Sequence, residues 1–145
     1  MLTAAHVVHW IQWPLRSTTP SWPPRTAAKD RRESADYFTE LFGLPPAAEF
    51  GHFLAVTLNQ GVSLDFAQAP DGADIHPQHY AFLVSEAEFD EIYGRIRARG
   101  QEHWADPRGA RPGEINDNDG GRGVYFQDPS GHYLEIITRP YGSGG

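Results

Sequence analysis

Glu135 stands in the run Tyr133-Leu134-Glu135-Ile136-Ile137-Thr138. In a strand, alternation puts Tyr133, Glu135 and Ile137 on one face and Leu134 and Ile136 on the other. A carboxylate on an inward face between apolar neighbours needs a cation or a hydrogen-bonding partner; on an edge strand the same side chain would stand in water. His79 opens a second candidate strand, HYAFLV, and shares a face with Ala81 and Leu83. A neutral imidazole at a strand end can bind a metal through one nitrogen while an acceptor holds the other; it can equally be a packed or surface histidine. The two residues make a divalent-metal site if both strands face one cavity. Glu135 is then also the candidate catalytic residue.

Other chemistries find no support. The chain has no cysteine, which excludes disulfides, thiolate ligands and Cys nucleophiles. Its glycines form neither GxGxxG nor a phosphate-binding loop, and no serine sits in GxSxG. Asn116 to Gly120 has the look of a calcium loop but lacks the glutamate six residues beyond the glycine; it reads as a mobile loop over a pocket. A net charge of −7 argues against nucleic acid and against an acidic membrane surface, and leaves room for a metal cation or a cationic ligand. No apolar run reaches the ~18 residues of a membrane span, and the start lacks the pattern of a signal peptide. The expected location is cytoplasmic.

The elements that must position Glu135 and His79 follow from local pattern. Residues 6–13, HVVHWIQW, are rich in β-branched and aromatic side chains and predict a strand. Prolines from Pro14 to Pro24 then forbid helix or central strand, and residues 14–29 read as a proline-rich insertion. Ala35, Phe38, Leu41 and Phe42 give a helical stripe over residues 31–42, with Gly43 as its stop. Phe53–Leu58 and Val62–Phe66 predict a hairpin. A second cycle begins at Gln78: a strand over 79–84, then a helix capped by Ser85 with Glu88 as its capping-box partner, ending near Gly100. Val124–Gln127 and Tyr133–Thr138 flank the turn Asp128-Pro129-Ser130-Gly131, in which proline presets φ. His132 lies in that turn and is expected to be exposed. The Gly142–Gly145 end reads as a frayed tail.

The order strand, helix, strands occurs twice. GVSLDFA in the first half parallels GHYLEII in the second, so Asp65 takes the place that Glu135 takes, 70 residues on; His9 and His79 share that offset. The fold class is therefore α+β: two βαβββ repeats, about 5–68 and 78–139, forming a curved mixed sheet with a central cavity and the helices outside, in a single domain.

The segments GRGVYFQDPSGHYLEIITRP and QHYAFLVSEAEFDEIYGRIRARG resemble the vicinal oxygen chelate superfamily, over roughly 31–140. That superfamily includes glyoxalase I, extradiol dioxygenases, fosfomycin-resistance thiol transferases and bleomycin-resistance proteins. The resemblance implies one divalent metal (Fe, Mn, Ni or Zn) held by His79, Glu135 and a histidine of the first strand. His9 is that histidine by offset. His6, on the opposite strand face, is the alternative, and a gap-free register puts Pro23 there and supplies none. The resemblance also implies a further ligand or neighbouring role for Asp65. His103, Trp104 and Tyr125 are candidates to line the pocket, each equally explained by packing. The implied activity is metal-dependent glyoxalase or dioxygenase chemistry on a small oxygen-bearing substrate. The alternative is metal-free binding of a small molecule among aromatic side chains. A homodimer is expected for both, since an open curved sheet leaves edges to cover.

Overall fold

The helical stripe of Ala35, Phe38, Leu41 and Phe42 forms a helix over Arg31–Phe42 (α1). Asp30 caps it, accepting from the backbone N–H groups of Arg32 and Glu33 at 2.8 and 3.0 Å, and Gly43 ends it at φ 66°. The second helix, Glu86–Ala98 (α2), begins with the full capping box: Glu88 N–H donates to Ser85 Oγ, and Ser85 N–H donates to the Glu88 carboxylate. The computed structural model describes residues 6–8, 25–58 and 63–144. Its strands are His6–Val8 (β1), Arg25–Ala28 (β2), Ala48–Phe50 (β3), Phe53–Thr57 (β4), Ser63–Gln68 (β5), His79–Leu83 (β6), His103–Trp104 (β7), Gly123–Gln127 (β8) and Tyr133–Ile137 (β9).

The chain builds the two βαβββ units that the internal repeat predicts, β2-α1-β3-β4-β5 and β6-α2-β7-β8-β9. Each unit has its own mixed sheet. The first is ordered β2-β5-β4-β3; the second is β6-β9-β8-β7, with β1 added beside β6. The two units align closely. β2 runs parallel to β5 with Arg25 opposite Asp65, and β6 runs parallel to β9 with Ala81 opposite Glu135.

This pairing corrects the expected start of the first unit. Of the predicted strand 6–13, residues 9–13 lie outside the described residues, and the described part, β1, does not open the unit. β1 pairs antiparallel with β6, His6 opposite Leu83, so it extends the second unit's sheet. The opening strand is β2, inside the stretch 14–29 that the prolines mark as an insertion. The last proline of that stretch is Pro24, so backbone donors return at Arg25 and the four residues from Arg25 to Ala28 can fill the parallel edge of β5. The first unit thus begins at residue 25 rather than near 5.

Phenylalanines dominate the core between sheets and helices. Phe38 stacks on Phe42 with ring centroids 4.3 Å apart and meets Phe82 of the second unit at 5.3 Å. Each such buried ring contributes about 1.5–3 kcal/mol. The units are also joined by the turn 128–132. His132 is 1% exposed, not solvent-facing as its turn position predicts. Its Nδ1 accepts from Gln78 N–H at 3.0 Å and its Nε2–H donates to the Ala27 carbonyl at 2.7 Å. Ser130 Oγ accepts from Lys29 N–H at 2.9 Å. The turn therefore docks β2 onto the second unit. Among the described residues, no helix is long and apolar enough to cross a membrane.

Candidate metal centre

On the face of the second sheet away from the helices, one cross-strand row reads Ala81, Glu135, Tyr125, Trp104, set by the registers β6–β9, β8–β9 and β7–β8. The alternation that puts Leu134 and Ile136 in the core puts Glu135 on this opposite face. Ala81 is small and leaves room beside the carboxylate. His79, two residues earlier on the same face, reaches across that space, and its Nε2 lies 3.1 Å from Glu135 Oε2. Glu135 is 1% exposed and the His79 side chain 43% exposed. The site is thus buried on the carboxylate side and open on the imidazole side.

Two phenols complete the surroundings. Tyr141 Oη donates a hydrogen bond to Glu135 Oε2. The Tyr125 ring lies 5.8 Å from the His79 ring, and its hydroxyl also meets the Glu135 carboxylate. Burial, then the Glu135 charge, pushes the Tyr125 phenol well above its ordinary range; burial and the hydrogen bond to Glu135 do the same to Tyr141. Both are neutral donors. Among the described residues, Glu135 pairs with no lysine or arginine; its one ion-pair partner is His79. A buried carboxylate served by an imidazole and two phenols is short of positive charge.

The residues present fit a cation. Two ligand atoms each about 2.1 Å from one ion, at a right angle, are about 3 Å apart, and the His79–Glu135 separation matches. Among the described residues, no third His, Asp or Glu joins them. His9 lies outside the described residues. The strand registers bear on the first-unit ligand by position: His79 precedes Ala81 by two residues, and Pro23 precedes Arg25 by two. Position 6 is opposite Leu83, four residues along the strand from His79.

Asp65 lies in the other sheet, in β5, where it is buried and accepts from Ser63 Oγ at 2.9 Å. No described contact brings it to His79 or Glu135. Trp104 and Tyr125 do share the Glu135 face, and with Tyr133, Gln127 and Arg108 they line a groove of about 300 Å³. His103 does not. As the neighbour of Trp104 in β7 it points to the helix side, where it packs edge-on against Tyr93 at 5.4 Å. Sequence reasoning missed Tyr141, which lies beyond the last strand with no periodic pattern around it. The loop from Asn116 to Gly120, read as mobile, is tied down: Asn116 is buried, exchanges backbone hydrogen bonds with Gly123 and donates to the Ala105 carbonyl.

The family description Glyoxalase/Bleomycin resistance protein/Dioxygenase superfamily matches residues 25–136. Glutathione transferase FosA of Serratia marcescens is 28% identical over 116 residues, covering 76% of this chain and 74% of that protein. The solved structure of Oxidase ChaP-H2 is 55% identical with a TM-score of 0.80, covering 84% of this chain and 94% of that one. A fosfomycin resistance protein, FosX, from Listeria monocytogenes, complexed with Mn(II) and sulfate, is 19% identical with a TM-score of 0.60, a likeness of fold.

Proposed function

The chain belongs to the Glyoxalase/Bleomycin resistance protein/Dioxygenase superfamily, and we propose that it is a divalent-metal-dependent enzyme of oxidase or dioxygenase type acting on a small oxygen-bearing substrate. The observation that carries this reading is the buried Glu135 carboxylate, without a lysine or arginine partner among the described residues, 3.1 Å from the nitrogen of a half-exposed His79. The 55% identity to a protein called an oxidase supports the reaction class, and the Mn(II) in a structure of the same fold supports the metal.

A bound divalent metal would polarise a substrate oxygen as a Lewis acid and bring redox reactivity where the ion is iron or manganese. His79 and Glu135 would hold it. Tyr125 borders both the carboxylate and the groove. Its neutral hydroxyl is placed to hydrogen-bond a substrate oxygen, and the faces of Trp104 and Tyr133 suit a flat substrate. Arg108 and Gln127 supply polar contacts at the rim. We also propose a homodimer: Phe50, on the edge strand β3, is 71% exposed.

Elemental analysis of protein purified without chelator tests the metal. The expected result is about one Fe, Mn, Ni or Zn per chain. Less than about 0.1 per chain, with no uptake of any of the four, would favour a second reading. In that reading the groove binds a small molecule without metal, which the lack of a third His, Asp or Glu among the described residues supports.

A further inference from the structure

The phenol of Tyr141 is hydrogen-bonded to Oε2 of Glu135, the same oxygen that meets His79 Nε2. An imidazole nitrogen and a phenol oxygen therefore both meet one carboxylate oxygen, so three side chains bring donor atoms to the neighbourhood of Glu135 Oε2. Two come from the second βαβββ unit. The third comes from beyond it, since the family match ends at residue 136.

Tyr141 is placed there by specific contacts. The backbone N–H groups of Gly142 and Gly144 both donate to the Asp119 carboxylate, at 3.1 and 3.4 Å. Asp119 has φ 55°, a conformation that non-glycine residues adopt at a cost. Ser143 Oγ and N–H both return to the Pro140 carbonyl, folding 140–143 into a tight turn. The segment that reads from sequence as a frayed tail is docked on Asp119 at two points that directly follow Tyr141. Counting in sequence from the paired residues, Pro23, which has no donor side chain, precedes Arg25 by two residues as His79 precedes Ala81.

We propose that Tyr141 is the third protein ligand of the metal held by His79 and Glu135. This rests on the metal-dependent reading above. On binding, the phenol gives its proton to solvent and the oxygen's electron pair goes to the metal, so one proton is released for the Tyr141–metal bond formed. A nitrogen and two anionic oxygens make a hard donor set, suited to iron and manganese.

The test uses the full chain, stripped of metal and loaded with Mn(II) for affinity. For spectroscopy it is loaded with Fe(II) and oxidised with ferricyanide, since phenolate bound to ferric iron gives a visible charge-transfer band. The wild type and Tyr125→Phe are expected to show the band, and Tyr141→Phe and a chain ending at Pro140 to lack it. Those last two are also expected to bind Mn(II) more than about tenfold more weakly, with the wild-type circular dichroism retained. A band that survives Tyr141→Phe overturns the proposal. So does Mn(II) affinity that is unchanged or tighter in that variant; a gain would make Tyr141 a stopper. Mn(II) uptake that requires His79 and Glu135 but ignores Tyr141 overturns this assignment alone. A wild type that binds no metal overturns the metal-dependent reading with it.

Discussion

Nε2 of His79 lies 3.1 Å from Oε2 of Glu135, across the space that Ala81 leaves between β6 and β9. The contact joins a half-exposed imidazole to a carboxylate that is almost wholly buried. The two residues differ in what they do for the fold, so their variants should separate.

Glu135→Gln keeps the volume and removes a buried charge. Metal affinity should fall at least about tenfold, while the metal-free protein unfolds at the same denaturant concentration as wild type or higher, because the desolvation penalty is relieved. His79→Ala should also lose metal but leave the carboxylate with phenols alone, lowering stability by about 1–3 kcal/mol. Titration with Mn(II) and urea unfolding of both variants check this pair. Equal stability loss in both would show that Glu135 is held by its local packing rather than by charge.

His132→Ala should destabilise the fold by about 1–3 kcal/mol, because it orphans the Gln78 N–H and the Ala27 carbonyl. Metal uptake per folded chain should not change. A shift in the urea midpoint with unaltered metal content is the expected result. Loss of metal at wild-type stability would place His132 in the site instead.

Four phenols, Tyr37, Tyr80, Tyr125 and Tyr141, are pushed above their ordinary range, in each case mainly by burial. A folded-state value above the unfolded one means that the fold favours the protonated form. This contribution to stability is whole below about pH 10, the unfolded value, and is lost as pH rises beyond it. Ultraviolet titration of the metal-free protein should show part of the phenolate absorbance appearing only with loss of the circular dichroism. Complete ionisation near pH 10 with the fold intact would contradict it.

Gly109 has φ 70°, and a Cβ built there would sit 3.3 Å from Nε1 of Trp104. Gly109→Ala should cost about 1–2 kcal/mol from the left-handed backbone and displace the indole that lines the groove. The check is thermal unfolding together with binding of the substrate or an aromatic probe. An unchanged affinity for such a ligand would mean that Trp104 does not shape the groove's binding surface.

Much of this protein is legible in its sequence because much of it is local. The stripe from Ala35 to Phe42, the Ser85–Glu88 capping box and the left-handed stop at Gly43 each depend on residues within four positions, and each forms as predicted. The alternation around Glu135 set its face for the same reason, and the repeat at an offset of 70 matched β5 with β9. The first strand of the first unit was not legible. RTAA has no apolar pattern of its own, and only its parallel pairing with β5 makes it a strand. Asp65 and Glu135 hold equivalent places in the repeat, yet they lie in separate sheets. His132 read as an exposed turn residue and Tyr141 carried no reading at all; they became an inter-unit clamp and a neighbour of Glu135 through contacts that local pattern does not encode. Periodicity and caps act over one or two turns of backbone, so the sequence by itself determined both helices, the longer strands and the faces of His79 and Glu135. Which of those faces meet is decided by long-range pairing and burial, and only the tertiary structure sets that.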